Sequence, residues 1–250
     1  MNGRIFTAYH FVPDEYRADD LYQPVVMGLE VGDRPGLLSD LHGNAPDYAP
    51  LTTAAGFDEI CAKWYVWKNL LPKYDWFGFQ QYRRPLNFGN RSNDEIRALV
   101  EQYDIITCSP DETTDENPDM RASFKRYFRV SPCPWDAFEK LMGGDWNFTM
   151  PLNHPHNTWI MRADAFDRYM TKWSEVFLEL AKVVRPDPPR VYGYLTERFF
   201  TLYLDRLIRD RPDAKILALP VNRRTRYFKG KKYEDKPQSH QEGYIEDQRR

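Results

Sequence analysis

Two adjacent guanidinium groups, Arg83 and Arg84, close the run Gln80-Gln81-Tyr82-Arg83-Arg84-Pro85. Arginine presents a planar fork of donors that matches phosphate oxygens two at a time, so this pair is a candidate phosphate clamp. Tyr82 adds a hydroxyl donor beside it. The same arginines can instead lie over aromatic neighbours as surface charge, and the residues alone leave the two readings even. Glu197 is a second candidate, a carboxylate inside the otherwise apolar RVYGYLTERFF. It can take a proton from a hydroxyl, hold Arg83, or pair with Arg198 or Arg190 to brace the fold. His10, at the end of RIFTAYHF, is a candidate contact to a base or phosphate. Asp40 and Asn44, in the cluster Ser39-Asp40-Leu41-His42-Gly43-Asn44, offer oxygens and an amide to hydroxyl groups, although such clusters are also ordinary turn chemistry. His154 and His156 have the spacing of a metal pair, yet Pro155 separates them and no acid is adjacent, so zinc is not expected.

Those residues need elements to position them. Ile60, Trp64, Trp67 and Leu71 recur at helical spacing and Pro72 ends the run, so residues 57–71 are expected to be a helix. The aromatic Trp76–Phe79 then reads as a buried strand with the arginines at its carboxyl end, where ligands usually bind in α/β domains. Strands are also expected at 4–11, 104–108, 158–161 and 215–221. Leu21–Leu29 reads as strand or loop, and Pro24 argues against a central position there. Helices are expected at 93–103 behind a Ser92 or Asn93 cap, at 163–180 on the spacing of Phe166, Met170, Trp173, Phe177 and Leu180, and at 190–207. A further helical region at 123–141 is interrupted by Pro132 and Pro134. Residues 32–56 and 109–122 read as long loops. Helices feeding short apolar strands make this an α/β chain.

A length of 250 residues fits one domain, taken as 1–228, with a polar, loosely held tail at 229–250. The net charge of −2 gives no footprint for nucleic acid. Three cysteines, Cys61, Cys108 and Cys133, form no CxxC pair and suit a reducing compartment. No stretch has the roughly 20 apolar residues that span a bilayer, and no signal peptide is read at the N-terminus. The expected location is cytoplasmic. P-loop, GxGxxG, GxSxG and HExxH motifs are absent from the sequence.

Taken together, YVWKN, FGFQQYRR, HNTWIMRADAFDRYMTKWSEVFLEL and RVYGYLTERFF, in this order, resemble the DUF4422 family over about residues 4–221. That family comprises bacterial proteins of capsule, exopolysaccharide and O-antigen loci, regarded as glycosyltransferases. IFTAYHF resembles its opening strand, and Asp40 to Asn44 its D-x-x-G-x-N loop. Gln81 stands where the family usually has a histidine before YRR, and Asn157-Thr158-Trp159-Ile160-Met161 replaces its NMFIM strand.

The resemblance implies a single GT-A-like domain with a central, mostly parallel sheet flanked by helices. Its activity would be transfer of a sugar from a nucleotide-sugar donor, a UDP-sugar foremost, to a glycan or lipid-linked acceptor. A lipid-linked acceptor is compatible with peripheral association at the inner face of the membrane. Many such folds carry Asp-x-Asp at a strand end to hold a divalent metal; here Arg83 and Arg84 stand in its place, which implies transfer without a metal cofactor. On this reading Glu197, Arg83 and Arg84 are catalytic. His10, Asp40, Asn44, Lys68, Asn69 and Tyr82 face the donor, and His156, Asn157 and Trp159 the acceptor. The competing expectation is a nucleotide- or glycan-binding relic, or a scaffold of a polysaccharide assembly system, with Gln81 marking lost chemistry.

Overall fold

The computed structural model describes residues 1–42, 59–109, 119–127, 133–151, 154–184 and 191–222, and three short strands beyond them. Its centre is an eight-stranded sheet in the order β10-β7-β5-β6-β4-β1-β2-β3. β1 (Gly3–Tyr9) runs parallel to both β2 (Tyr22–Val26) and β4 (Trp76–Gln81), and β2 runs parallel to β3 (Leu38–Ser39). β5 (Ile105–Cys108) is parallel to β7 (Ile216–Leu219). Between these two parallel groups lies β6 (Trp159–Arg162), antiparallel to both β4 and β5. The sheet is therefore mixed, and β6 begins at the edge where β4 and β5 end.

Pro24 sits inside β2 despite its missing N–H. Its outer neighbour β3 pairs only with Val25 and Val26, so the proline lies beyond that short ladder. Of the expected loop at 32–56, Leu38–Ser39 is strand and Asp40–His42 a single 3₁₀ turn. β8 (Arg226–Phe228) and β9 (Lys231–Tyr233) form an antiparallel ribbon, and β10 (Gly243–Tyr244) pairs antiparallel with β7. Two of these three strands fall in the segment expected to be loosely held.

Among the described residues six α-helices flank the sheet. α1 (Ile60–Leu70) and α2 (Asn93–Gln102) precede β4 and β5 or lead into them, and α2 starts on a complete capping box between Ser92 and Glu95. α3 (Met120–Tyr127) begins earlier than its expected span, and α4 (Pro134–Met142) places Pro134 in its first turn, where a missing N–H costs nothing. α5 (Ala163–Val183) and α6 (Val191–Asp210) are the longest. The apolar stripe predicted for α5 is the one it buries: Phe166, Met170, Trp173, Phe177 and Leu180 are all fully enclosed.

Sheet alternation divides the core in two. Phe77 and Phe79 face α1, α5 and α6, whereas Trp76 and Ile106 face Ile96 and Val100 of α2. The first face is mostly aromatic: Phe79 contacts Phe166 and Trp159, and Trp159 stacks on Phe200. Burying each such ring stabilises the fold by roughly 1.5–3 kcal/mol. Gly78 lets β1, β4 and β6 pack this closely, since a Cβ there would press Ile5 and Ile160 at 3.0 Å. Among the described residues no helix is long and apolar enough to cross a membrane.

Candidate functional site

The carboxyl ends of β1, β4 and β5, the start of β6 and the amino-terminal turns of α1 and α6 converge at one end of the sheet. Charged and polar groups gather there, several of them buried. After β4 the chain turns back, with Arg84 N–H donating to the Gln81 carbonyl at 3.0 Å, and this turn aims the Arg84 side chain across the sheet end. Arg84 Nη1 lies 2.9 Å from His156 Nδ1. Guanidinium nitrogens only donate, so His156 Nδ1 is the acceptor and its proton sits on Nε2.

His156 and Asn157 form a turn with φ of 74° and 53°, the only non-glycine residues at positive φ among those described. Such backbone is costly for a side chain bearing a Cβ, and it persists where neighbours over-determine it. Here they do. Glu197 Oε1 accepts from His156 N–H at 3.1 Å, and the Asn157 amide donates to the Gly193 carbonyl at 3.3 Å. Lys63 Nζ donates to the Asn157 carbonyl at 2.8 Å, and Thr158 Oγ1 donates to that of His156 at 3.1 Å. Cys108 Sγ–H donates to the Pro155 carbonyl at 2.7 Å, while His154 Nδ1–H donates to the carbonyl of Cys108 at 3.2 Å. The two histidines thus have separate partners, and among the described residues no group of three His, Cys, Asp or Glu side chains is placed to hold a metal.

Burial sets the electrostatics. Glu197 keeps 16% of its side-chain surface exposed, and its enclosure raises the carboxyl from 4.5 to about 7, although Arg198 at 3.9 Å and Arg84 oppose that rise. Lys63 is 1% exposed; burial draws its ammonium down from 10.5 to about 7 against the opposing charges of Glu59 and Glu197. The ring of Trp159 lies 4.8 Å beneath that ammonium. Burial works to raise Glu59, but His10 at 3.6 Å and Lys63 outweigh it and leave the carboxyl below its ordinary value. His154, fully enclosed, falls to about 4 and stays neutral. These shifts place two ionisations, one acid and one base, near neutral pH within one cluster.

The expected site residues divide on this geometry. Glu197, Arg84, His156 and Asn157 come together as described. His10 and Tyr82 lie alongside: Tyr82 stacks on Tyr9 at 5.3 Å and meets His10 and Phe11 edge-on. Arg83 lies over the Tyr82 ring at 5.4 Å, the packed arrangement of an arginine on an aromatic face. Trp159 is fully buried between Phe79, Phe166, Tyr169 and Phe200, so it floors the site from within the core. Asp40 is 1% exposed and accepts from Gly28 N–H at 2.8 Å, at the β3 edge of the sheet. Lys68 stacks over Trp67 at 3.8 Å, and Asn69 Nδ2 donates to its own helix at the Tyr65 carbonyl. Both stand near the carboxyl end of α1, more than a helical turn beyond Lys63 and roughly 7 Å further along the axis. Lys68 and Asn69 therefore stand away from the cluster. Asp40 follows β3 at the carboxyl end of the sheet, close enough to Tyr65 of α1 to add to burial in raising its hydroxyl above the ordinary value. Asn44 lies outside the described residues.

Glu59 and Lys63 escaped sequence reasoning. Their i, i+4 spacing at the start of α1 is ordinary for a solvated helical pair. One signal was available: Lys63 precedes Trp64 in a helix where Ile60, Ala62, Tyr65 and Val66 are also buried, leaving no solvated side at that turn.

A family model described as "Domain of unknown function (DUF4422)" matches residues 4–208. The chain belongs to the DUF4422 family. Among solved structures, that of the apo WbbM bifunctional glycosyltransferase superposes with a TM-score of 0.66 at 20% sequence identity, covering 88% of this chain and 45% of that one. The chain therefore spans less than half the length of that protein, and the likeness is one of fold. The GT-A-like α/β architecture expected from the sequence is the one observed. No curated protein matches the sequence.

Proposed function

We propose that this chain is a glycosyltransferase domain that moves a sugar from a nucleotide-sugar donor, a UDP-sugar foremost, to a hydroxyl of a glycan or lipid-linked acceptor in bacterial surface-polysaccharide synthesis. The observation that carries this reading is Glu197, mostly buried, ionising near pH 7, and bonded to the same turn whose His156 contacts Arg84. A base is most effective when its pKa lies near the working pH. In an inverting transfer Glu197 takes the acceptor hydroxyl's proton as that oxygen bonds to the anomeric carbon. The bond from the anomeric carbon to the nucleotide phosphate breaks, and the leaving diphosphate carries the electron pair. Arg84, with Arg83 beside it, neutralises the charge that builds there, a role preorganised donors perform well away from bulk water. His10, Phe11 and Tyr82 supply a ring-lined wall for the nucleotide next to that clamp. On this reading the arginines take the part a divalent cation plays in other transferases, and the site works in the cytoplasm, peripherally at the membrane where the acceptor is lipid-linked.

The test is release of the nucleotide from a panel of sugar donors, UDP or GDP from their conjugates and CMP from CMP-sugars, with and without chelator. Turnover that survives the chelator is expected. Activity lost to chelator and restored by manganese or magnesium would sink the arginine assignment and leave the transferase reading standing. Binding without turnover across a broad panel of donors and acceptors would replace transfer by a binding role.

A further inference from the structure

Two buried amide oxygens at this end of the sheet have nothing to accept. Gln81 Oε1 and Asn157 Oδ1 lack a hydrogen-bond partner, in residues that are 5% and 3% exposed. Buried polar atoms are nearly always paired, and leaving one unmade costs roughly 1–3 kcal/mol. Two orphans of the same kind in one place call for an explanation.

Their positions are related. β4 and β6 pair as Phe77↔Met161 and Phe79↔Trp159. Gln81 is the last residue of β4 and Asn157 lies two residues before β6 begins, so both stand at the same end of these paired strands. Lys63 supports the same placement: its ammonium is 5.8 Å from the Phe79 ring, 4.8 Å from the Trp159 ring, and bonded to the Asn157 carbonyl. The Asn157 amide is not free to flip, because Nδ2 donates to the Gly193 carbonyl and leaves Oδ1 as the open group. Gln81 and Gln80 show the contrast along one strand. Gln80 points to the other face, where it donates to Thr7 Oγ1 and accepts from Leu86 N–H, and is satisfied.

We infer that Gln81 and Asn157 form a hydroxyl-reading subsite, in which the two amide oxygens accept from neighbouring hydroxyls of a sugar ring. This rests on the glycosyltransferase reading and deepens it. A ligand of this class fits on three counts. A hydroxyl donates to a neutral amide oxygen without bringing charge into a buried place. Glu197 and Lys63 stand beside the turn to meet further hydroxyls. The strained His156–Asn157 backbone, tied down by the Lys63, Glu197 and Gly193 contacts, holds Oδ1 fixed before the ligand arrives. A site built this way also rejects a ring that lacks the hydroxyl, because the oxygens then stay unpaired.

Two variants separate the oxygens from the fold. Gln81→Met keeps the volume and removes the acceptor. Asn157→Gly removes the other acceptor while tolerating a φ of 53°. Both are compared with wild type by calorimetric titration of UDP, GDP and CMP, their sugar conjugates, and methyl hexopyranosides. The expected result is that each variant binds the nucleotide sugar about tenfold more weakly relative to the free nucleotide. Loss confined to the methyl glycosides supports the subsite equally and places the acceptor sugar there. If both variants keep the wild-type ratio and the wild-type glycoside affinity, the subsite is overturned and the transferase reading stands. If wild type binds no member of the panel, both fall together. Should Gln81→Met fail to fold, Asn157→Gly decides the matter alone.

Discussion

Lys63 and Lys172 carry the same ammonium group in opposite surroundings. Lys63, at the carboxyl ends of the strands, is enclosed between α1 and the sheet and donates to a backbone carbonyl. Lys172, on α5, is 35% exposed and reaches Glu175 at 3.1 Å across one helical turn. The same contrast holds for the regions around them. Near Lys172 a cavity of about 860 Å³ opens between α4, α5 and α6. Most of its charged rim is neutralised by exposed pairs within single helices, Arg168 with Asp164 and Arg206 with Asp210, each at 2.8 Å, while Arg211 reaches Asp104 at 3.3 Å and Asp145 pairs with Arg209 at 3.6 Å. Such pairs are solvated and contribute little to stability. Around Lys63 the charges come from three separate segments, the start of α1, the turn after β4 and α6, are mostly buried, and are tied to a strained turn. Charge that costs free energy to bury is retained where something is done with it; charge that costs nothing lies at the rim of a cavity built from local pairs.

Substitutions in the two regions will sharpen this contrast or break it. The largest effect is expected at Glu197. Glu197→Gln keeps the hydrogen bond from His156 N–H and removes the base, so transfer should fall by about 10²–10⁴-fold with the fold intact. Near-normal turnover would end the base assignment. The same variant has a pH signature. Folding raises Glu197 from 4.5 to about 7, so the folded chain holds an extra proton in that window, and the stability this group contributes falls as pH rises through it. Glu197→Gln should flatten that fall, gaining on the order of 2 kcal/mol over wild type by pH 8 relative to pH 4, read from thermal midpoints.

Arg84→Lys comes next. It keeps one charge and loses the fork, and kcat/KM should drop about 100-fold, which steady-state kinetics will show. Equal loss in Arg83→Lys would mean that the ring-packed arginine shares the clamp. Lys63→Met is expected to act on stability, lowering it by about 1–3 kcal/mol, because the Asn157 carbonyl loses its donor and Glu59 its buried cation. Its sign with pH is opposite to that of Glu197. Folding lowers Lys63 from 10.5 to about 7, so its contribution is lost as pH falls through that range, and denaturant titrations above pH 7 should lose this slope in the variant. In the other region, Arg206→Ala should leave the thermal midpoint within error of the parent. A clear shift there would show that the cavity rim is more than a set of solvated pairs.

The elements were legible where one segment carries its own pattern. The stripe of α5, the Pro72 stop after α1, the capping box of α2 and the aromatic β4 are all local properties of the chain. The antiparallel insertion of β6 was not, because a buried strand of four residues reads the same in either direction. The site was legible by residue type and not by place. Lys68 and Asn69 have suitable chemistry, yet they sit toward the carboxyl end of α1, away from Lys63, and Asp40 gives an oxygen to Gly28 N–H. Arg84, Glu197 and His156 are at positions 84, 197 and 156, and nothing local to any of them says that they meet.

The sequence by itself determined that this is an α/β chain of the DUF4422 family, with two arginines at the end of a buried strand and a carboxylate in an apolar helix. Periodicity, composition and motif order are written along the chain and need no partner to be read. Only the tertiary structure decided that Lys63 is buried, that Glu197 ionises near neutral pH, and that Gln81 and Asn157 each carry a buried oxygen without a partner. Each of these is a statement about dielectric or hydrogen-bond satisfaction. Such properties belong to a residue's surroundings, and the surroundings exist only once distant segments have packed.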